Sequence, residues 1–324
     1  MSSSLASDVG TAPTPTPRER RRLGMLALFA SIYTYALIVF GGIVRITNSG
    51  MGCGPDWPRC NGQWIPQFTL ETLIEYTHRL LAAGIGVVVL GVFVYAILHR
   101  SQPGFGGRGG LLRPLGLGGL LLVFQIVLGA VTVRLDLPPF VVVVHFITAL
   151  LFMATLLVTA VRAGAFGDGR ATPADADSAR SAANMAVAAA VLGLLVVTFG
   201  ALTANLPGAP LACQGFPLCN GRLLPAADVP PMHAHWGHRL LAFLLLMHII
   251  GAVVVSRRRG GSSANTRAAT LSLLLVLLQI CVAAALVLLY LPPVLQSLHL
   301  AVGAAVWMSL VVWSALARRE STRA

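Results

Sequence analysis

Eight long apolar runs divide this chain. They cover about residues 24–44, 73–98, 114–135, 140–162, 183–203, 236–255, 269–291 and 294–317. Each is long enough to cross a bilayer, which takes roughly 20 helical residues. A backbone in lipid must satisfy its own hydrogen bonds, so a spanning run is a helix unless it closes a barrel. The period-2 alternation of barrel strands is absent. The expected fold class is all-α and integral to a membrane, with eight transmembrane helices. Only 10% of the residues are charged, against about 25% in soluble domains.

The net charge is +12, and every basic residue is Arg. A basic chain can signal nucleic acid, but the distribution argues for lipid and no nucleic acid. Seventeen of the 23 Arg lie in the terminal tails and in the loops around 99–113, 162–182 and 256–268. The positive-inside rule makes those segments cytoplasmic. Eight spans then return both termini to the cytoplasmic side of a cell membrane. Residues 1–23 are expected to be a disordered cytoplasmic tail ending in "RERRR". The apolar run behind it is too long for a signal peptide, and no small-residue cleavage site follows.

The second half of the chain rewrites the first. "EYTHRLLA" at Glu75–Ala82 returns as "HWGHRLLA" at His235–Ala242. "CNGQWIP" at Cys60–Pro66 returns as "CNGRLLP" at Cys219–Pro225. Gln125 lies 20 residues before His145, and Gln279 lies 20 before His299. Pro139 and Pro293 each lie six residues before those histidines. The expected architecture is two parallel-repeated four-helix bundles, 24–162 and 183–317. They are joined by a cytoplasmic linker, 163–182, and followed by a cytoplasmic tail, 318–324. Each bundle starts from the same side, so the repeat is parallel rather than inverted.

Four histidines then fall at similar depth. His78 and His238 sit near the outer ends of their helices. His145 and His299 sit roughly 9 Å inside the outer prolines, at about 1.5 Å per residue. Ionisable residues inside a membrane are costly and point to function. Two neutral imidazoles facing each other across a bundle can supply both axial ligands of a haem iron. The plainer alternative is that each His bridges helices by hydrogen bonds. Of the others, His99 is expected to be solvated in a basic loop, and His248 to be structural. His233, His235 and His238 form H-x-H-x-x-H, which could hold zinc or copper. The repeat argues against that, because His238 already has a counterpart in His78.

Cys53 and Cys60 lie in the first outer loop, Cys213 and Cys219 in the third. Outside an energised membrane such pairs can form disulfides. A zinc ribbon is a weaker reading, since it needs tighter knuckles. Cys281, inside an apolar helix, is expected to serve packing.

The first outer loop reads "GGIVRITNSGMGCGPDWPRC", and "EYTHR" follows. With the duplicated histidines, this closely resembles the haem A synthase family, over about residues 24–317. The resemblance implies an oxidoreductase acting on a CH3 group, which oxidises a methyl of haem O to a formyl group by successive hydroxylations. Haem A so made serves terminal oxidases. It implies that His78 and His145 hold the substrate haem in the N-terminal half. It implies that His238 and His299 ligate a resident haem B in the C-terminal half, and that Glu75 is the catalytic carboxylate. The loop cysteines match the disulfide-bearing type, pairing Cys53–Cys60 and Cys213–Cys219. Haem O synthase and a reductant donor are the implied partners. Arg45 and Arg79, cations at the outer interface, are candidates to pair with haem propionates. Residues i and i+3 share a helix face, so Glu75 is expected to point toward what His78 ligates. The plainer alternative is that Glu75 pairs with Arg79. His235 stands where Glu75 stands in the first half, so only one haem site has the carboxylate. The rival function is a di-haem electron carrier or quinol oxidoreductase with no chemistry on its haem. A transporter is less consistent with parallel, uninterrupted halves.

Overall fold

The computed structural model describes residues 17–107, 109–167, 176–224, 230–258 and 262–322. Among these, helices account for the regular structure. They are α1 (Pro17–Ile46), α2 (Leu70–Leu98), α3 (Leu112–Arg134), α4 (Pro139–Arg162), α5 (Ala176–Asn205), the short α6 (Ala209–Ala212), α7 (Pro230–Arg258), α8 (Ser263–Leu288) and α9 (Pro293–Ser321). All but α6 are long and apolar enough to cross a membrane. Their outward surfaces are apolar as well: Val87, Leu90, Leu120, Met247 and Leu274 are all largely exposed. That is the inverse of a soluble protein and suits lipid as the solvent. Several hydroxyls within the helices are satisfied locally. Thr34, Thr132, Thr148, Thr198 and Thr203 each donate to the carbonyl four residues earlier.

The helices bury three apolar clusters. One draws on α1–α4, around Ile85, Val89, Phe152 and Leu156. A second draws on α5 and α7–α9, around Ala186, Ile249, Leu310 and Trp313. The third joins the halves through α1, α4 and α9, with Ile38, Leu150, Met153 and Trp307. Hydrogen bonds cross the same seam. Trp307 Nε1 donates to the Leu150 carbonyl, and the Tyr35 hydroxyl donates to the Ala301 carbonyl. Thus α4 and α9, which carry His145 and His299, lie side by side at the centre.

The turns that set the depth of those histidines are alike in the two halves. Asp136–Leu137 and Tyr290–Leu291 all adopt left-handed backbone, with φ between 57° and 62°. Such φ is uncommon outside glycine. Here it closes α3 and α8, through Leu137 N–H to Thr132 O and Leu291 N–H to Leu286 O, both 2.9 Å. Pro138 and Pro292 then cap the next helices, and Pro139 and Pro293 occupy their first position, where a missing N–H costs nothing.

Several boundaries differ from the sequence reading. Helix α1 begins at Pro17, within the stretch expected as a tail, and Leu23 is fully buried. The reason is a contact: Arg20 donates to the Arg162 carbonyl at the end of α4 (2.6 Å), a common use of a basic side chain at a helix C-terminus. Residues 1–16 lie outside the described residues. Helix α5 starts at Ala176, inside the expected linker, and residues 168–175 are not described. Helix α9 runs on to Ser321, through most of the expected tail. His99 is not a solvated loop residue. It caps α2, stacks on Tyr95 at 4.3 Å and on Phe105 at 5.9 Å, and its Nδ1 meets the Tyr95 carbonyl. Cys281 faces outward rather than into the packing. His248 is structural as expected, its Nε2 2.9 Å from the Met185 carbonyl.

Candidate haem-binding site

Each half brings together two imidazoles from different helices. In the C-terminal half, His238 on α7 and His299 on α9 face each other with ring centres 6.2 Å apart and planes at 82°. An imidazole–metal bond is about 2.0–2.1 Å, so two rings trans across one iron would stand roughly 6.3 Å apart. The separation is compatible with two imidazoles sharing one haem iron. His238 Nδ1 lies 2.9 Å from the Val196 carbonyl. That leaves Nε2 as the nitrogen open to a metal, the usual division of labour in a metal-bound His. Gln279 Nε2 lies 3.0 Å from His299 Nδ1 and 3.3 Å from its Nε2, and donates to the His299 carbonyl at 2.9 Å.

In the N-terminal half, the two imidazoles are His78 on α2 and His145 on α4. His78 Nδ1, His145 Nδ1 and Gln125 Oε1 are buried without a hydrogen-bond partner among the described residues. Buried polar atoms are normally paired, so three orphans in one half mark a place built to receive something. Phe40 stacks on His78, with ring centres 6.4 Å apart and planes at 15°.

Two glycines make room for the rings. A Cβ on Gly41 would stand 3.1 Å from His78 Cε1, and one on Gly200 would stand 2.9 Å from His238 Cε1. Both follow a Phe, Phe40 and Phe199. The sequence reading passed over these residues. The repeated Phe-Gly was the available signal.

The two disulfide loops explain themselves residue by residue. In each, Cys-Asn-Gly forms a tight hairpin. Asn61 and Gly62 have φ of 51° and 75°, Asn220 and Gly221 of 54° and 74°. Paired positive φ is the type I′ turn, which Asn-Gly favours. The flanking residues pair as Cys60 with Gln63 and Cys219 with Arg222. The Asn side chains fasten each hairpin, to the Gly52 and Ala212 carbonyls. The sulfurs are bonded, Cys53 to Cys60 and Cys213 to Cys219. Mass spectrometry of a non-reduced digest should show two intraloop links; four free thiols would contradict this pairing.

Arg79 and Arg239, the Arg of the two "HRLLA" copies, clamp these loops to the helices. Arg79 Nη1 donates to the Asp56 and Arg59 carbonyls, both 2.7 Å. Its Nε and Nη2 donate to Glu75 Oε1, at 3.1 and 2.6 Å. Arg239 donates to the carbonyls of Cys213, Gly215 and Leu218 at 2.7–2.9 Å. Its Nη2 also meets His235 Nε2 at 3.2 Å. Arg79 is thus engaged by the loop and by Glu75. Arg45 donates to the Ala204 carbonyl on α5 at 3.1 Å, bridging the two halves.

Glu75 is buried and engaged at both oxygens. Besides the Arg79 ion pair at Oε1, its Oε2 accepts from Cys53 N–H at 2.7 Å. The carboxylate therefore joins the disulfide loop to the helix turn that carries His78. His235, in the equivalent place, has Nδ1 3.0 Å from the Ala209 carbonyl and Nε2 on Arg239. Both of its nitrogens are occupied, so it has none free for a metal. No group of three metal-type side chains gathers among the described residues.

Comparison with known proteins gives one answer. The profile of the "Cytochrome oxidase assembly protein" family matches residues 24–71 and 65–311. A protein named "Heme A synthase" from Geobacillus kaustophilus is 34% identical over 248 residues, 70% of each chain. Another of that name, from Alkalihalophilus pseudofirmus, is 30% identical over 71% of this chain and 75% of its own. A third, from Halalkalibacterium halodurans, is 31% identical over 72% and 75%. By its length of match and by these relatives, the chain belongs to the cytochrome oxidase assembly protein family, the family of the haem A synthases.

Proposed function

We propose that this multi-pass membrane protein is a haem A synthase that oxidises one methyl group of haem O to a formyl group, working in the cell membrane with both termini cytoplasmic. The two four-helix units act as a parallel repeat with divided labour. The N-terminal pair, His78 and His145, holds haem O as substrate. The C-terminal pair, His238 and His299, holds haem B as resident cofactor. The observation that carries this reading is the facing pair of imidazoles from α7 and α9 at a separation that suits one iron.

Methyl to formyl is a four-electron oxidation. Two successive hydroxylations would each take two electrons from the carbon and add one oxygen atom; with a reductant donor supplying two further electrons each time, the oxidant required is dioxygen, whose second atom leaves as water. The resulting geminal diol loses one water to leave the aldehyde. Haem B, when bound, supplies a one-electron redox centre. The protein's own part is positional. His78 and His145 orient the substrate, with Phe40 stacked behind His78. Apolar helices exclude water around them. Glu75 is the acid/base candidate, one helical turn from His78 and held in place by Cys53 N–H and Arg79.

The test is pigment analysis of purified protein expressed with and without a source of haem O. A synthase should yield haem B together with haem O or haem A when the source is present. Haem B alone under both conditions would instead fit an electron carrier. A reductant donor and haem O synthase are the partners this reading requires.

A further inference from the structure

The two disulfide loops each carry an exposed apolar pair, Trp64–Ile65 in the first and Leu223–Leu224 in the second. Both pairs stand four and five residues past a hairpin Cys, Cys60 or Cys219. These side chains are between 65% and 76% exposed, so neither loop folds its pair inward. A lone exposed apolar residue needs no explanation. The same pair at the same place in both halves does.

An aromatic side chain holds each pair where it is. The Tyr76 hydroxyl donates to the Trp64 carbonyl, and Trp236 Nε1 donates to the Leu223 carbonyl, both at 2.7 Å. Tyr76 and Trp236 occupy one position of the repeat, directly after Glu75 and after His235. Residues three and four apart share a helix face. On α2, Tyr76 therefore belongs to the row Leu73, Leu80, Val87 and Val94, and on α7, Trp236 heads the row Leu240, Leu244, Met247 and Val254. All of these apolar side chains are exposed, which on a membrane-spanning helix means exposed to lipid. Each latch thus sits at the loop end of a lipid-facing row and fastens its apolar pair there. Tyr and Trp are enriched where a chain leaves the hydrocarbon. Phe68, also exposed, extends the first row toward the loop, its ring 5.7 Å from that of Tyr76. The Arg59 guanidinium lies over the Trp64 ring at 5.4 Å, a cation suited to lipid phosphate.

We propose that both disulfide loops rest in the lipid interface, each seated by its apolar pair and latched to the lipid-facing row of its own helix. The occupant is lipid, because the patch is continuous with the faces of α2 and α7 that a bilayer covers. The first loop also supplies the Cys53 N–H and the Asp56 and Arg59 carbonyls that hold Glu75 and Arg79. Its seat in lipid therefore helps to set that loop over the turn of α2 that carries His78. The inference is independent of which haem either half holds.

The experiment places the full-length protein in nanodiscs of phosphatidylcholine: unbrominated, brominated on the acyl chain near the headgroup, or brominated near the chain end. Bromine quenches Trp emission on contact. The first loop is read as the emission that Trp64→Phe removes from the parent; the Trp64 carbonyl, and with it the latch, stays. The second loop is read as the emission that Leu223→Trp adds to the parent. Both signals should be lost most strongly to bromine near the headgroup, less to bromine near the chain end, and least to acrylamide in the water. Tyr76→Phe deletes the hydroxyl and keeps the ring, and should turn the Trp64 signal from lipid quenching toward acrylamide quenching. A Trp64 signal that Tyr76→Phe does not move overturns the latch. Signals that neither bromolipid quenches overturn the proposal: if acrylamide quenches them the loops lie in water, and if it does not they are covered by a protein partner or a second copy. Stronger quenching by bromine near the chain end also overturns it, because the loops would then lie within the hydrocarbon. Should Trp64→Phe fail to fold, the Leu223→Trp signal decides alone.

Discussion

Replacing His238 or His299 by Ala should strip the protein of haem B, whereas Ala at His78 or His145 should leave it in place. The expectation follows from ligand geometry. His238 and His299 face each other at 6.2 Å, so each would supply one of the two axial bonds to the same iron. His238 is also prearranged, by the Val196 carbonyl at its Nδ1 and by the space at Gly200. Removing either imidazole takes away one bond and the orientation that its neighbours enforce. The measurement is the haem B content of purified variants, by the pyridine haemochrome spectrum, beside a folding check by circular dichroism. A His238→Gln variant keeps much of the side-chain volume and separates a lost ligand from a lost fold. Equal loss of haem B in all four Ala variants would sink the division of labour between the halves. Loss confined to His78 and His145 would reverse it.

The eight spans were legible because lipid imposes a single demand on long apolar runs. The ends were not, because apolarity marks only the hydrocarbon slab. Helices continue into the headgroup region, where Arg is at no disadvantage. So α1 reaches back to Pro17 through four Arg, and α9 runs on to Ser321 through two. The candidate histidines were legible from a repeat in which Gln, Pro-Pro and His keep their spacing. The fates of Arg79 and Glu75 were harder to read. Sharing a helix face with His78 at i+3 did suggest where Glu75 points, but Arg79 at i+4 is just as near. Which neighbour takes the carboxylate depends on the loop that folds back over both. That loop supplies Cys53 N–H and the carbonyls of Asp56 and Arg59. Such long-range partners leave no periodic trace in the sequence. The same holds for Arg239, whose carbonyl partners lie 21 to 26 residues before it.

Glu75→Gln should leave haem B bound and haem O able to enter, yet stall the oxidation. Haem O should accumulate, with some of the singly hydroxylated alcohol and little haem A. A positioned general acid or base contributes about 10²–10⁴-fold to rate, and the loss should fall in that range. The structure sharpens the test, because Glu75 also holds the outer loop. Gln still accepts from Cys53 N–H through its amide oxygen, so that anchor persists. What Gln removes is the charge that pairs with Arg79 and the capacity to exchange a proton. Arg79→Lys separates these two. It keeps a cation beside Glu75 but forfeits the fork that also reaches the Asp56 and Arg59 carbonyls. If Glu75 serves only the clamp, the Lys variant should lose as much haem A formation as the Gln variant. If Glu75 handles a proton of the substrate, the Gln variant should be worse by at least about tenfold, within the range typical of acid–base groups. Chromatography of extracted pigments gives the answer for both, and haem O content shows whether the site still fills. A Gln variant that makes haem A at the parent rate would leave Glu75 as a structural partner of Arg79. The carboxylate would then be, like His235 beside Arg239, part of the hinge that seats a disulfide loop on its helix.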